Sequence, residues 1–234
     1  MKKLFPLSLL LLLLASALAV TSPTTAEAQS AGLVSSVLNR MERNRQSLKS
    51  LKASLSMEKY NAQLRDADKY QGVILYMPAG GRDASVRIDW RSPQLETLAV
   101  SNGKYTLLKP RLKVAYTGSS RSSKVKSSTG GMMDLLYLSR QQLEARFQPV
   151  QDVREETLWG GVSTIHLTLV PKSNASFKYA EIWVDSAGMP VQTKVVEKNG
   201  DATTMRLSSV ERNARMSADE FKINLDSSVK VIKG

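Results

Sequence analysis

The sequence lacks cysteine entirely, contains one histidine, His166, and has an aromatic content of only 6%. Without cysteine there are no disulfide bonds and no cysteine for lipid modification, so the core must stabilise the fold alone. One histidine without cysteine does not build a typical zinc site. The sequence also has no G-x-S-x-G nucleophile elbow and no phosphate-binding glycine loop. We therefore expect no metal, no cofactor and no enzymatic activity, and we expect His166 to be a strand residue with a structural or solvent-facing role.

Basic residues outnumber acidic ones, 33 Lys and Arg against 21 Asp and Glu, and the formal net charge is +12. Such an excess is compatible with a nucleic acid, an anionic membrane surface or solubility alone. The N-terminal segment described next argues against nucleic acid, so we favour attraction to acidic phospholipid headgroups. Arg121, Lys124 and Lys126 form the one local concentration of charge. They either contact headgroups or an acidic partner, or belong to a solvated linker.

The N-terminus has the organisation of a secretory signal peptide. Lys2 and Lys3 precede an apolar run from Leu4 to Val20, and Ala26-Glu27-Ala28 supplies small residues for cleavage. We predict that residues 1–28 are removed, with Ala19 as an earlier alternative site, and that the protein is exported to the periplasm. An uncleaved membrane anchor is the alternative, which the shortness of the apolar run disfavours. Residues 29–234 then form one domain.

Hydrophobic periodicity changes from helical to alternating near residue 51. Leu33, Val34, Val37, Leu38, Met41, Leu48 and Leu51 recur at helical spacing and predict an amphipathic helix packed on a sheet. Alternating runs follow, and turn signals such as Asn102-Gly103 and Asn199-Gly200 separate them. Short connections imply antiparallel neighbours. Eleven strands are predicted, near residues 51–58, 70–77, 85–91, 95–101, 104–109, 112–117, 150–157, 162–170, 178–185, 190–198 and 202–210.

The middle of the chain interrupts this meander. Residues 118–131 are rich in Ser, Gly and Lys and predict a flexible loop. The apolar residues from Met132 to Leu138 predict a compact helix, and Ser139 is positioned to cap a second short helix that runs to Phe147. One N-terminal helix, a mid-chain helical insertion and many antiparallel strands give an α+β architecture.

Several segments together resemble the outer-membrane lipoprotein carrier family (LolA-like). The segment 87–90, with the sequence RIDW, and the following Ser92-Pro93 and residues 98–104 resemble a family strand, proline and hairpin. Residues 109–114 and 167–172 are similar to its later motifs, and Glu220 to Ile223 resemble its closing strand. The resemblance covers most of residues 33–232.

The resemblance implies a half-barrel of about eleven antiparallel strands whose concave side is covered by three helices. It also implies a monomeric periplasmic carrier of lipoprotein acyl chains or another lipid. The partners would be an inner-membrane lipoprotein-releasing complex and an outer-membrane receptor. A periplasmic lipid-sensing or regulatory binding protein of the same fold is the alternative, and an enzyme acting on envelope lipids is disfavoured by the missing catalytic groups.

The inward-facing positions of the alternating runs are the candidate ligand-lining residues, and each is equally compatible with ordinary core. Trp90 has the strongest case because it lies in a matched segment and its ring covers a large area. The others on the sheet are Leu98, Val100, Leu107, Ile165, Leu167, Leu169, Ile182, Val184, Val195 and Leu207. The predicted lid residues are Met132, Met133, Leu135, Leu136 and Leu138.

The sequence departs from the family at the position that is thought to hold the lid closed. The family has an arginine before a proline there, whereas Met77 precedes Pro78 in this chain. Residues 79–84 look like an insertion. Arg82 and Arg87 are the candidates to replace the missing arginine.

Overall fold

The structure is a computed structural model that describes residues 24–78, 84–121, 135, 138–173 and 175–234. These residues form one twelve-stranded sheet and, in their continuous segments, two α-helices. The helices are α1 (Thr24–Ser47) and α2 (Arg140–Arg146). The strands are β1 (Leu51–Asn61), β2 (Asp66–Met77), β3 (Ser85–Ser92), β4 (Glu96–Ser101), β5 (Lys104–Lys109), β6 (Val114–Ser119), β7 (Gln151–Leu158), β8 (Val162–Leu169), β9 (Phe177–Asp185), β10 (Pro190–Glu197), β11 (Ala202–Arg212) and β12 (Lys230–Lys233).

The sheet is open, with the strand order β12-β6-β5-β4-β3-β2-β1-β11-β10-β9-β8-β7. Neighbouring strands are antiparallel except β12, which lies parallel to β6. Short turns join most of the strands, as expected for antiparallel pairs. The predicted α+β fold with an antiparallel half-barrel is confirmed, and β12 adds one strand to the eleven expected.

Most strands have one buried apolar face, which we call the inner face, and α1 packs on this face at β8 and β9. In β1 the residues Leu51, Ala53, Leu55 and Met57 are buried, whereas the alternating Lys, Ser, Ser and Glu are exposed. Cross-strand pairing carries the pattern onward, because Leu55 lies opposite Leu207 of β11. The opposite, outer face carries most of the charged side chains.

Helix α1 ends at Ser47, so the helical stripe was extended too far at Leu48, whereas the predicted strand that begins at Leu51 is confirmed. Leu51 starts β1, where it pairs with Tyr76 and Arg212. Two hydrogen-bonded strand neighbours decide its conformation, whereas its spacing from the helix residues was coincidental. Val37, Leu38 and Met41 of α1 pack on the inner face of β8 and β9, as the helical stripe predicted.

Helix α2 begins as predicted, because Ser139 and Gln142 form a reciprocal capping box. The predicted helix from Met132 to Leu138 lies outside the described residues except for Leu135 and Leu138. Both of these are buried beside α1 and α2. The described part of the chain thus contains two of the three α-helices that the resemblance implied.

The C-terminal segment crosses the outer face between β11 and β12. It starts with Asn213, which bonds the backbone of Lys49 and Ser50, and a 3-10 turn (Ala218–Phe221) packs against β3 and β4. The expectation that residues 220–223 form the closing strand was wrong. A capping box between Ser217 and Glu220 favours the turn, and β12 closes the sheet instead.

Candidate functional site

An apolar cleft of about 660 Å³ opens between the two helices and the start of β7. Pockets of roughly 300–1,000 Å³ are typical of small-molecule sites. Apolar side chains from all three elements line the cleft, and polar ones surround them. The lining comprises Val34, Ser35, Leu38, Arg140, Leu143, Glu144, Phe147, Gln148, Pro149, Val150, Asp152, Val153 and Lys172.

Polar contacts join the two helices at the cleft in addition to the apolar ones. The carboxylate of Glu42 accepts hydrogen bonds from Arg45 and from the backbone N–H of Arg140. The Arg140 guanidinium donates to Asn39 at 2.8 Å. The hydrogen bonds from Arg45 lower the pKa of Glu42 from 4.5 to about 2, so this carboxylate is charged at neutral pH.

Lys172 places a positive charge at the rim of the cleft. Its Nζ donates to the carbonyl of Glu144 at 2.6 Å, and its backbone N–H donates to Arg146. These bonds tie the end of α2 to the segment after β8. Asp152 adds a negative charge across the cleft, because the hydrogen bond from Arg154 lowers the pKa of its carboxyl group. The rim therefore carries both signs of charge around an apolar interior.

The predicted sheet residues all lie on the inner face, where they form three apolar clusters. Trp90 and Leu207 belong to the cluster around β1, while Leu98 and Leu107 form a smaller one with the half-buried Val100. Val195 packs against two clusters. The third cluster, beneath the helices, contains Leu135, Leu138, Ile165, Leu167, Leu169, Ile182 and Val184.

Most of these residues are packed as core rather than left open, and those of the third cluster lie beneath the helices. Leu167, Leu169, Ile182 and Val184 have no exposed surface. None of the predicted residues lines the 660 Å³ cleft. Their role in ligand binding therefore remains a prediction, and for the third cluster it requires the helices to separate from the sheet.

The predicted lid residues Met132, Met133 and Leu136, and the predicted lid-holding Arg82, lie outside the described residues. Arg87 is described, and it lies on the outer face, opposite to Ile88 and Trp90. Its guanidinium donates to Asp89 and to the carbonyls of Glu220 and Lys222. Strand alternation turns Arg87 away from the inner face, and its contacts brace the C-terminal segment. Its lid-holding role stays a prediction.

His166 is completely buried on the face of β8 opposite to Leu167. Its Nδ1 lies 3.1 Å from the carbonyl oxygen of Asp152, and its ring lies 4.8 Å from that of Trp183. Its Nε2 is 3.4 Å from a Glu181 oxygen. The histidine is therefore part of a buried polar cluster, which agrees with a structural role. Within the described residues, no group of three or more acidic or histidine side chains is arranged to hold a metal ion.

Sequence reasoning missed the residues that line the cleft. Val34 and Leu38 were identified as an apolar helix stripe, but Val150 and Val153 were treated only as ordinary positions near or in a strand. The available signal was local: Ser139 predicts a short helix, and the Pro171-Lys172 pair follows a buried strand. Their convergence depends on how β7 and β8 pair, through residues such as Gln151 and Thr168.

The sequence profile of the family described as "Outer membrane lipoprotein carrier protein LolA" matches residues 46–224. The chain belongs to this family. No curated protein sequence matches the chain significantly. Its Lys172 falls in the segment that resembles a LolA motif, and the structure places that lysine at the cleft.

Solved structures share the LolA-like fold at low sequence identity. A MucB crystal structure matches with a TM-score of 0.55 at 12% identity, over 85% of this chain and 64% of MucB. An uncharacterised conserved protein from Thermus thermophilus matches with a TM-score of 0.54 at 10% identity, over 86% of this chain and 99% of that protein. The Pseudomonas aeruginosa MucA/MucB complex matches with a TM-score of 0.51 at 12% identity, over 85% of this chain and 62% of the matched chain. This chain therefore spans under two thirds of the MucB length, and these likenesses establish the fold alone.

Proposed function

We propose that this LolA-family chain is an exported, non-catalytic periplasmic carrier that binds acyl chains of lipoproteins, or another lipid, and moves them toward the outer membrane. The observation that carries the proposal is the apolar cleft between α1, α2 and β7. It adjoins the apolar cluster beneath the helices through Leu38, Leu143 and Phe147, which belong to both. The partners we propose are an inner-membrane lipoprotein-releasing complex as donor and an outer-membrane receptor as acceptor, with the carrier acting as a monomer.

The energetic need for a carrier is large. Exposing one methylene to water costs about 0.8 kcal/mol, so a chain of ~15 methylenes costs roughly 12 kcal/mol. A protein that covers the chain removes most of this cost during passage through an aqueous compartment. The cleft volume is in the range that encloses ligands of such size.

Release requires that the covering elements move, and α2 is suited to this. It has only seven residues, and Leu143 is its only buried residue. Short elements with few buried contacts open at low free-energy cost. If α2 swings away from α1, the buried inner face beneath it, including Leu167 and Ile182, becomes continuous with the cleft. Met132, Met133 and Leu136 remain predicted contributors to this lid.

Native mass spectrometry tests the proposal by comparing the cargo of the unmodified chain with that of a variant whose cleft is filled. The full chain, gently purified from the periplasm of its expression host, is expected to carry acylated protein or lipid. The double variant Val34→Trp and Val150→Trp fills the cleft from two sides and is expected to lose that cargo. Val162→Trp is the matched control, because Val162 is 38% exposed and does not line the cleft. Retention of cargo by the filled cleft would contradict the proposal.

A regulatory lipid-binding protein is the second candidate, because the fold is similar to that of MucB in its complex with MucA. The same mass spectrometry separates the two functions. Acylated protein as cargo supports the carrier. An empty chain that instead captures the periplasmic segment of a membrane regulator supports the regulatory protein.

A further inference from the structure

Three strongly exposed leucines lie at one end of the sheet. Leu64, Leu95 and Leu112 are 74%, 61% and 65% exposed, and they occupy the β1–β2, β3–β4 and β5–β6 connections. We call them the leucine rim. Tyr60, which is 39% exposed, lies beside the first of these connections. Four of the seven large exposed apolar side chains in the described part of the chain therefore share this end.

The topology places the three leucines in a row. Strands β1 to β6 are consecutive neighbours in the sheet, and all five pairs are antiparallel. Alternate connections therefore emerge at the same end, and each is two strands from the next. Since neighbouring strands lie about 4.8 Å apart, adjacent tips are spaced by roughly 10 Å. Such a row has the geometry to contact a flat surface, whereas it does not form a pocket for a small ligand.

Basic side chains flank the leucine rim. Arg65 follows Leu64, and Arg91 lies just before the β3–β4 connection. Arg111 and Lys113 lie on either side of Leu112. All four side chains are exposed. Within the described residues, none of these four side chains forms a salt bridge. They are therefore available to bind anions outside the protein.

The acidic residues at this end are largely engaged within the protein. Glu96 pairs with Lys109 at 2.9 Å and accepts a bond from Gln94. Asp66 accepts the backbone N–H of Ala67 in β2, and Asp201 accepts that of Ala62 in the β1–β2 connection. Residues 91–96 and 109–113 span the connections that carry Leu95 and Leu112 together with the adjoining strand ends, and there Glu96 is the only acid against Arg91, Lys109, Arg111 and Lys113. This half of the leucine rim is consequently positive.

We propose that the leucine rim and its flanking cations dock the protein on the surface of an anionic phospholipid bilayer. The leucines would enter the interfacial region, while Arg91, Arg111 and Lys113 contact headgroup phosphates. Exposed apolar side chains beside cations are the combination that binds membrane surfaces reversibly. None of the helices in the described part of the chain has the length and apolarity needed to cross a membrane. This proposal concerns attachment to one leaflet.

The docking surface and the cleft lie at the same end of the strands. The cleft is lined by residues at the beginning of β7 and just after the end of β8. Because neighbouring strands are antiparallel, β8 ends at the same end of the sheet at which β9 and β11 begin. The β1–β2 connection also lies at that end. A protein attached through the leucine rim would thus bring this end of the sheet toward the bilayer. Docking itself does not depend on which ligand occupies the cleft.

Vesicle cosedimentation of the full-length mature chain tests the proposal. The probes are vesicles of phosphatidylcholine alone and vesicles that also contain phosphatidylglycerol. We expect binding to the anionic vesicles, reduced by added salt. Each Leu→Ser change at positions 64, 95 and 112 should lower the partition coefficient by up to about tenfold. The double reversal Arg111→Glu with Lys113→Glu should lower binding by at least about tenfold.

Matched controls lie at the opposite end of the sheet. Trp159→Ser removes an 89% exposed side chain in the β7–β8 turn, and Lys49→Glu with Lys104→Glu changes the net charge by the same amount as the rim reversal. Both controls should bind vesicles like the unmodified chain. An equal loss of vesicle binding in the controls would overturn the proposal. Undiminished binding by a variant that carries all three Leu→Ser changes would also overturn it. Circular dichroism verifies folding, and cargo measured by mass spectrometry reports separately on the cleft.

Discussion

The carboxylate of Glu42 in α1 accepts a hydrogen bond from the backbone N–H of Arg140, the first residue of α2, at 3.3 Å. The same carboxylate binds Arg45 and Gln46 of its own helix. One side chain thus couples the two helices that border the cleft. Because N-terminal N–H groups of a helix lack partners within the helix, an acceptor supplied by α1 stabilises both the start of α2 and its position.

Glu42→Gln should destabilise the protein in a pH-dependent manner. The pKa of Glu42 is lowered from 4.5 to about 2, so its contribution is fully present above pH 4.5 and is lost as the pH falls toward 2. At pH 7 we expect the variant to lose about 1–2 kcal/mol of unfolding free energy, after allowance for partial solvent screening. Urea denaturation between pH 2 and 7 measures the difference. Glu144→Gln, at an exposed glutamate of α2, is the control. A difference in unfolding free energy that stays constant between pH 2 and 7 would contradict the lowered pKa of Glu42.

Gly188→Ala should be among the most damaging small substitutions. Gly188 has a φ of +83°, and an added Cβ would lie 2.3 Å from the backbone of Arg40 in α1. The turn between β9 and β10 and the helix would have to separate, so we expect a loss of about 2–4 kcal/mol in unfolding free energy.

Gly103→Ala provides the comparison for Gly188→Ala in thermal or urea denaturation. Gly103 has a similar φ of +71°, but no atom of the described residues lies within 4 Å of its added Cβ. Gly103→Ala should therefore lower the unfolding free energy by only about 1–2 kcal/mol, which is the cost of holding a residue with a side chain at positive φ. Equal losses at the two glycines would show that the close approach of α1 to the β9–β10 turn is unimportant.

Arg87→Ala should loosen the outer face without releasing ligand. The variant loses bonds to Asp89 and to the carbonyls of Glu220 and Lys222. We expect faster amide hydrogen exchange in residues 218–223 and a loss of about 1–2 kcal/mol in stability. Cargo retention should be unchanged. Loss of cargo with unchanged exchange would instead support the lid-holding role predicted from the sequence.

Leu167→Ala tests whether the inner face beneath the helices is packed as core. Leu167 is fully buried among residues of α1 and β9, so its truncation should cost about 2–5 kcal/mol. Val150→Ala, at a half-buried position lining the cleft, should cost under about 1.5 kcal/mol. Chemical denaturation of both variants decides the matter. A small loss of unfolding free energy in Leu167→Ala would mean that the inner face around Leu167 is open rather than packed as core.

The sequence was most informative where local rules act alone. Asn102-Gly103 has positive φ at both residues, as a tight hairpin requires, and Ser139 caps α2 through its own side chain. It was least informative where a distant strand competes. Leu51 fits a helical stripe equally well, but pairing with Tyr76 and Arg212 placed it in β1. The outer-face position of Arg87 followed from alternation with Ile88, although its binding of the C-terminal segment did not.

The motifs along the chain resembled the LolA-like family, and local sequence patterns predicted the alternation of buried and exposed strand residues, the turns and an antiparallel α+β sheet. These features depend on neighbours within a few residues, where side-chain period and backbone preference are sufficient. Local patterns did not predict that α1, α2 and β7 border a cleft, or that Leu64, Leu95 and Leu112 share one end of the sheet. Both depend on strand order and on packing between segments distant in sequence, because many such arrangements bury the same apolar positions.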